Sequence, residues 1–213
     1  MDVRGLGAAL ADLVLPGGCA GCDAPAELWC PACAAATAAP RRVALTGLPP
    51  TLAAGPYAGP LRTALLRYKE RGRRDLVGSL AAVLASGLTG PAQLVPAPSR
   101  ARAARARGGD HVLRLCRAVA DAGPGVRVAP VLVLGGGAVD SVGLDAGQRA
   151  ANLRGRVGVR PIGRPGNGAP VLLVDDVVTT GATLRTCVAA LRDAGIRVDG
   201  VLVLCDATGA CGS

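Results

Sequence analysis

Thirteen consecutive residues, Val171-Leu172-Leu173-Val174-Asp175-Asp176-Val177-Val178-Thr179-Thr180-Gly181-Ala182-Thr183, pass from an apolar run through paired carboxylates to hydroxyls. The uninterrupted aliphatic character of Val171 to Val174 predicts a strand covered on both faces, followed by a ligand loop. Thr179 or Thr180 can then cap a helix from about Ala182 to Ala194, which Gly195 ends. The first turn of such a helix presents unpaired N–H groups and a positive dipole end, and Gly181 allows close approach, so the turn is a seat for a phosphate. Two adjacent acids would repel a bare phosphate, so they must address hydroxyls or a metal beside it. A ribose 5-phosphate satisfies both halves. No Gly-Lys-Ser/Thr follows, which excludes a Walker loop.

A second set of reactive residues lies near the amino terminus. Cys19, Cys22, Cys30 and Cys33 form a C-x2-C-x7-C-x2-C pattern that suits four thiolates on one tetrahedral zinc. A redox pair is the alternative. The segment already carries net negative charge and zinc tetrathiolate adds more, so it is a poor match for DNA. Its expected role is to fold a unit with too little apolar surface to hold itself together. Cys116, Cys187, Cys205 and Cys211 lack partners at metal spacing and read as small core or tail residues.

These residues need elements to position them. At 213 residues the chain can hold one ordinary domain and a small appendage, and with 50% hydrophobic residues but no Phe its core is aliphatic. A module over 1–40, an extended linker over 41–59 and a main domain over 60–213 are expected. Strands are expected around Arg42–Leu45, Pro56–Tyr57, Gln93–Val95, Val131–Leu134 and Val201–Leu204. Leu61, Leu65 and Tyr68 recur at helical spacing, a second helix covers Asp75–Leu88, Ser99 caps Arg100–Arg107, and Asp110 caps His111–Ala120. Strands alternating with helices predict an α/β parallel sheet with ligands at the carboxyl ends of its strands. Gly135-Gly136-Gly137 and Asp140–Gly155 suit a movable segment entering a short helix. His111, the only histidine, is either a general base or a helix N-terminal residue beside its cap.

The net charge of +9 is uneven: residues 1–40 set Arg4 against Asp2, Asp12, Asp23 and Glu27 for −3, leaving +12 on residues 41–213. Twelve basic residues between Arg62 and Arg117, Lys69 the only lysine among them, face Glu70, Asp75 and Asp110 alone, which points to a polyanion such as pyrophosphate or nucleic acid, or to a solvated basic surface. The apolar stretch Leu6–Leu15 is broken by Asp12 and reads as a short amphipathic helix, and Gly and Pro interrupt Leu76–Ser99, so no membrane insertion and a cytoplasmic protein are expected.

The thirteen-residue stretch resembles the phosphoribosyl pyrophosphate signature of type I phosphoribosyltransferases. With the four-cysteine segment ahead of it, the chain resembles the ComF family of competence-associated proteins over nearly its whole length. Val95-Pro96-Ala97-Pro98 matches a Val-Pro-x-Pro stretch, and Leu144, Arg149, Asn152 and Gly155 match Leu-x4-Arg-x2-Asn-x2-Gly. Of an Arg-Gly-Phe-Asn-Gln motif only Arg107-Gly108 agrees, while Gly109, Asp110 and His111 depart. The resemblance implies a type I phosphoribosyltransferase fold in which Thr179, Thr180, Gly181, Ala182 and Thr183 hold the 5-phosphate and Asp175 and Asp176 the ribose hydroxyls. Pyrophosphate with magnesium would lie beside Ser99 and Arg100, and Arg149 would close over the site. It implies transfer of phosphoribosyl to an unidentified acceptor, as in nucleotide metabolism, through a cation-like ribosyl centre stabilised by charges on the departing pyrophosphate. The alternative is an accessory protein for DNA uptake that binds single-stranded DNA, with the ribose phosphate site as a sensor. The scarcity of aromatics argues against a stacking platform for single strands. Base selection, oligomeric state and acceptor have no signature in the chain.

Overall fold

The computed structural model describes residues 18–25, 27–37, 40–99, 109–135, 157–166 and 168–211. Arg100, Arg149, the Leu144–Gly155 motif and the helices expected over Leu6–Leu15 and Arg100–Arg107 lie outside the described residues. A short helix α1 (Pro31–Ala35) follows the first three cysteines, and then β1 (Arg41–Val43) and β2 (Thr51–Pro56) lead to α2 (Gly59–Glu70). A 3-10 turn (Arg74–Leu76) and α3 (Val77–Ala85) precede β3 (Ala92–Pro96), and α4 (His111–Ala122) precedes β4 (Val126–Val128), β5 (Leu132–Leu134) and β6 (Val157–Val159). The chain closes with β7 (Val171–Val178), α5 (Ala182–Asp193), β8 (Gly200–Asp206) and a 3-10 turn over Thr208–Cys211.

Six strands form one sheet in the order β1-β2-β8-β7-β3-β4, parallel throughout except for β1, which runs antiparallel to β2 at one edge. Strands β5 and β6 pair as a separate antiparallel ribbon. The protein is therefore a mixed α/β fold on a mostly parallel sheet with a four-cysteine cluster near the amino terminus.

Strand alternation divides the core in two. Ala54, Leu94, Val174, Leu202 and Leu204 pack under α2, α3 and α4 through Leu61, Leu65, Leu80, Leu84, Val112 and Leu115. Their neighbours Ala53, Val95, Leu173, Val201 and Val203 face α5 through Leu184, Cys187 and Leu191. With both faces covered, the central strands read as continuous apolar runs.

Several expectations change. The strand expected to stop at Val174 runs to Val178, because Asp175, Val177 and Val178 remain in register with Val203, Cys205 and Asp206 of β8. The acids thus sit in a strand instead of a loop. In the linker segment β1 lies where a strand was expected, while β2, expected only around Pro56–Tyr57, begins at Thr51. The small residues Ala53, Ala54 and Gly55 hid it from a hydrophobicity pattern. The short strands β4 and β6 were not expected at all.

The cysteine segment packs on α2. Arg67 donates to the carbonyl of Cys19 at 3.2 Å and to Asp23 Oδ2 at 2.8 Å, and Ala20 joins the core beside Leu61 and Leu65. Gly21 marks the tightest approach: a Cβ there would lie 2.7 Å from Cys33 Sγ and 2.7 Å from Pro60 Cβ, at the start of α2.

Candidate functional site

In a parallel sheet, side chains at the carboxyl ends of adjacent strands converge, and here β7 and β3 deliver Asp175, Asp176 and Ser99. Helix α2 brings Tyr68 and Lys69 to the same place, and the first turn of α4 brings Asp110 and His111. Lys69 Nζ lies 2.7 Å from Asp176 Oδ2, and His111 Nε2 hydrogen-bonds the same oxygen. The chain's only lysine and only histidine therefore meet on one buried carboxylate.

The two acids are differentiated by this arrangement. Burial alone favours the neutral form of Asp176, but the His111 hydrogen bond and the Lys69 charge outweigh it and bring the carboxyl down to about 2. Among the described residues Asp175 has no such side-chain partner. Burial first, and the Asp176 charge second, push it up to about 8, against the opposing backbone N–H of Asp176, 2.8 Å from Asp175 Oδ1. The surroundings thus favour the ionised form of Asp176 and the protonated form of Asp175.

Beyond the acids, Thr179 and Thr180 are exposed, Ala182 and Thr183 partly so, and Gly181 occupies the N-cap position of α5 with φ +74°, where a side chain would be strained. The expected threonine cap is thus corrected: left-handed geometry puts glycine at the cap, and the Thr180 hydroxyl, one residue earlier, accepts from Ala182 N–H at 3.4 Å. Arg185, one turn into α5, donates to Thr180 O at 2.8 Å and to Thr46 O at 3.0 Å, tying the turn to the segment between β1 and β2.

The four cysteine ligand atoms lie within 4.8 Å of one another, with sulfur separations of 3.6 Å for Cys19–Cys33 and for Cys22–Cys30. Tetrahedral zinc with bonds of about 2.3 Å needs sulfurs about 3.8 Å apart, so the cluster can hold one zinc ion. Backbone N–H groups of Cys30 and Gly21 point at Cys19 Sγ at 3.3 and 3.5 Å, an arrangement that favours thiolate.

Sequence reasoning placed Lys69 in the basic cluster and left His111 between base and cap residue. It missed Tyr68, whose hydroxyl donates to the His111 carbonyl at 3.1 Å. That Lys69 and His111 are the single lysine and histidine of the sequence was the one available signal. The basic stretch is itself partly neutralised: Lys69 is held by Asp176, Arg67 by Asp23, and Arg73 by Asp75. A cavity of about 300 Å³ opens at the opposite edge of the sheet among Thr51, Leu52, Leu88, Leu172 and Leu202, and contains none of the candidate residues. Among the described residues no helix is long and apolar enough to cross a membrane.

No protein-family model matches the chain, and no curated protein matches it. Among solved structures it is similar to a hypoxanthine phosphoribosyltransferase from Staphylococcus aureus, at 15% identity and TM-score 0.35 over 65% of each chain. It is also similar to a glutamic acid mutant made to study an invariant aspartic acid in HPRTs, at 22% identity and TM-score 0.34, covering 65% of this chain and 69% of that one. The chain thus spans about 65% of the length of the first of these phosphoribosyltransferases.

The acid pair makes stability depend on pH. With the pKa of Asp175 raised from 3.8 to about 8, the folded state holds an extra proton across that window, so stability falls as pH rises through it. The Asp176 contribution, with its pKa lowered to about 2, is already complete above about pH 4 and stays constant. Urea unfolding at pH 5, 6.5 and 8 should show Asp175→Asn gaining on wild type as pH rises, by about 1–3 kcal/mol at pH 8. A gap that stays the same at all three values would contradict the assignment.

Proposed function

We propose that this protein binds phosphoribosyl pyrophosphate with magnesium at the carboxyl edge of the sheet, and that it is a phosphoribosyltransferase-like protein of the ComF kind. The observation that carries this reading is the order of chemistry along β7 and α5. Two adjacent acids stand in the last half of the strand, and within five residues of the second the chain reaches a glycine at φ +74° that opens a helix. The ribose hydroxyls are assigned to Asp175 and Asp176: the ionised Asp176 accepts, while the protonated Asp175 can also donate. Thr179, Thr180, Gly181, Ala182 and Thr183 are assigned to the 5-phosphate. Ser99 and Arg100 are assigned to the pyrophosphate, and Arg149 to closure over it.

Magnesium supplies charge neutralisation of the pyrophosphate when bound. This chain's own residues orient the ribose and hold its hydroxyls. Departure of pyrophosphate leaves positive charge at the ribosyl carbon, which the Asp176 carboxylate favours. Transfer to an acceptor is the further step. DNA handling is the second reading, supported by the net charge of +9 and weakened by the acidic partners of Lys69, Arg67 and Arg73.

The N-terminal module is proposed to bind a structural zinc ion through Cys19, Cys22, Cys30 and Cys33, bracing α2 and with it Lys69.

Calorimetric titration with phosphoribosyl pyrophosphate and magnesium should give saturable binding that the double substitution Asp175→Asn, Asp176→Asn abolishes without unfolding the protein. Absence of heat for wild type removes the donor site. For the module, native mass spectrometry should find one zinc per chain, lost when Cys30 and Cys33 are both replaced by Ser; a metal-free wild type or a disulfide-linked mass would overturn it.

A further inference from the structure

Asp110 and His111 do more than begin a helix. Asp110 Oδ1 accepts from the N–H groups of Val112 at 3.0 Å and Leu113 at 3.2 Å, which is an N-cap. Its second oxygen leaves the helix altogether and accepts from Ser99 N–H at 2.9 Å. His111 is divided in the same way, with Nε2 on Asp176 Oδ2 and Nδ1 3.3 Å from Ser99 Oγ. Capping accounts for one oxygen of Asp110 and for nothing on the imidazole. A carboxylate only accepts, so Nε2 carries a proton, and Nδ1 faces the Ser99 hydroxyl, which can accept from it or donate to it.

The imidazole is boxed in. Its side chain is 7% exposed, Tyr68 stands edge-on at 6.4 Å between ring centres, and the Tyr68 hydroxyl holds the His111 carbonyl. The imidazole joins the half-buried Ser99, in the segment that follows β3, to the buried Asp176 on β7.

We propose that the Asp110–His111 pair is the positioning joint of the donor site, coupling Ser99 on the pyrophosphate side to the Asp176 carboxylate on the ribose side. The inference rests on the donor-site reading above and assigns the pair a task within it. A ligand that engages Ser99 turns its hydroxyl, the imidazole follows, and the orientation of Asp176 changes with it. Binding at either end then selects the geometry needed at the other.

The test uses the full-length protein, in which the single histidine gives imidazole nitrogen signals that need no assignment. The 15N spectrum of the ligand-free protein should show Nε2 protonated, and magnesium pyrophosphate alone should shift the ring signals. His111→Ala should weaken binding of magnesium phosphoribosyl pyrophosphate about tenfold or more. His111→Gln, whose amide offers a donor and an acceptor side by side, should stay within about threefold of wild type. A ring protonated on Nδ1 instead, signals unmoved by pyrophosphate, a fully binding His111→Ala, or a His111→Gln as weak as His111→Ala would each overturn the joint. If wild type binds the donor and only these readouts fail, the joint alone falls; if wild type binds neither ligand, the donor site falls with it.

Discussion

Two carboxylates side by side at the end of a buried strand repel each other and resist leaving water, and the surrounding elements answer that constraint. One acid is given partners, and burial favours the neutral form of the other. Lys69 and His111 both address Asp176 Oδ2, from helices on the same face of the sheet, while burial and the Asp176 charge raise the pKa of Asp175. Removing one partner from a buried ion pair typically costs about 3–5 kcal/mol, so the positions of α2 and α4 are tied energetically to the acid they serve.

This tie extends to the amino terminus. Helix α2 carries Lys69 near its last turn, Leu61 and Leu65 in the core, and Arg67 against Cys19 and Asp23. The close fit of Gly21 between Cys33 and Pro60 seats the cysteine cluster at the other end of the same helix. One helix thus spans the two groups of reactive residues. A metal that orders the cluster would also fix the rod from which Lys69 reaches the acid pair.

Much of this was legible in the residues themselves. The apolar run into Asp175-Asp176 announced a strand and the hydroxyls after it a helix start near Ala182, and the doubled C-x-x-C spacing announced a converging cluster, because these patterns are local. Three things were not local. The extension of β7 through the acids depends on pairing with β8, and Ala53, Ala54 and Gly55 of β2 are strand residues only because a sheet surrounds them. The meeting of Lys69 and His111 depends on two helices separated by forty residues of chain, and no spacing encodes it. Thr179 and Thr180 looked like caps by residue type, but the left-handed backbone at Gly181 moved the cap position past them.

The central claim is that Asp175, Asp176 and the turn into α5 form one receptor for a ribose phosphate. A crystal structure of the protein with magnesium and phosphoribosyl pyrophosphate tests it most directly. The 5-phosphate is expected against the N–H groups between Thr180 and Thr183, with ribose hydroxyls on the two carboxylates. Ligand bound instead along the arginines of α2 and α4, with Asp175 and Asp176 untouched, would contradict it.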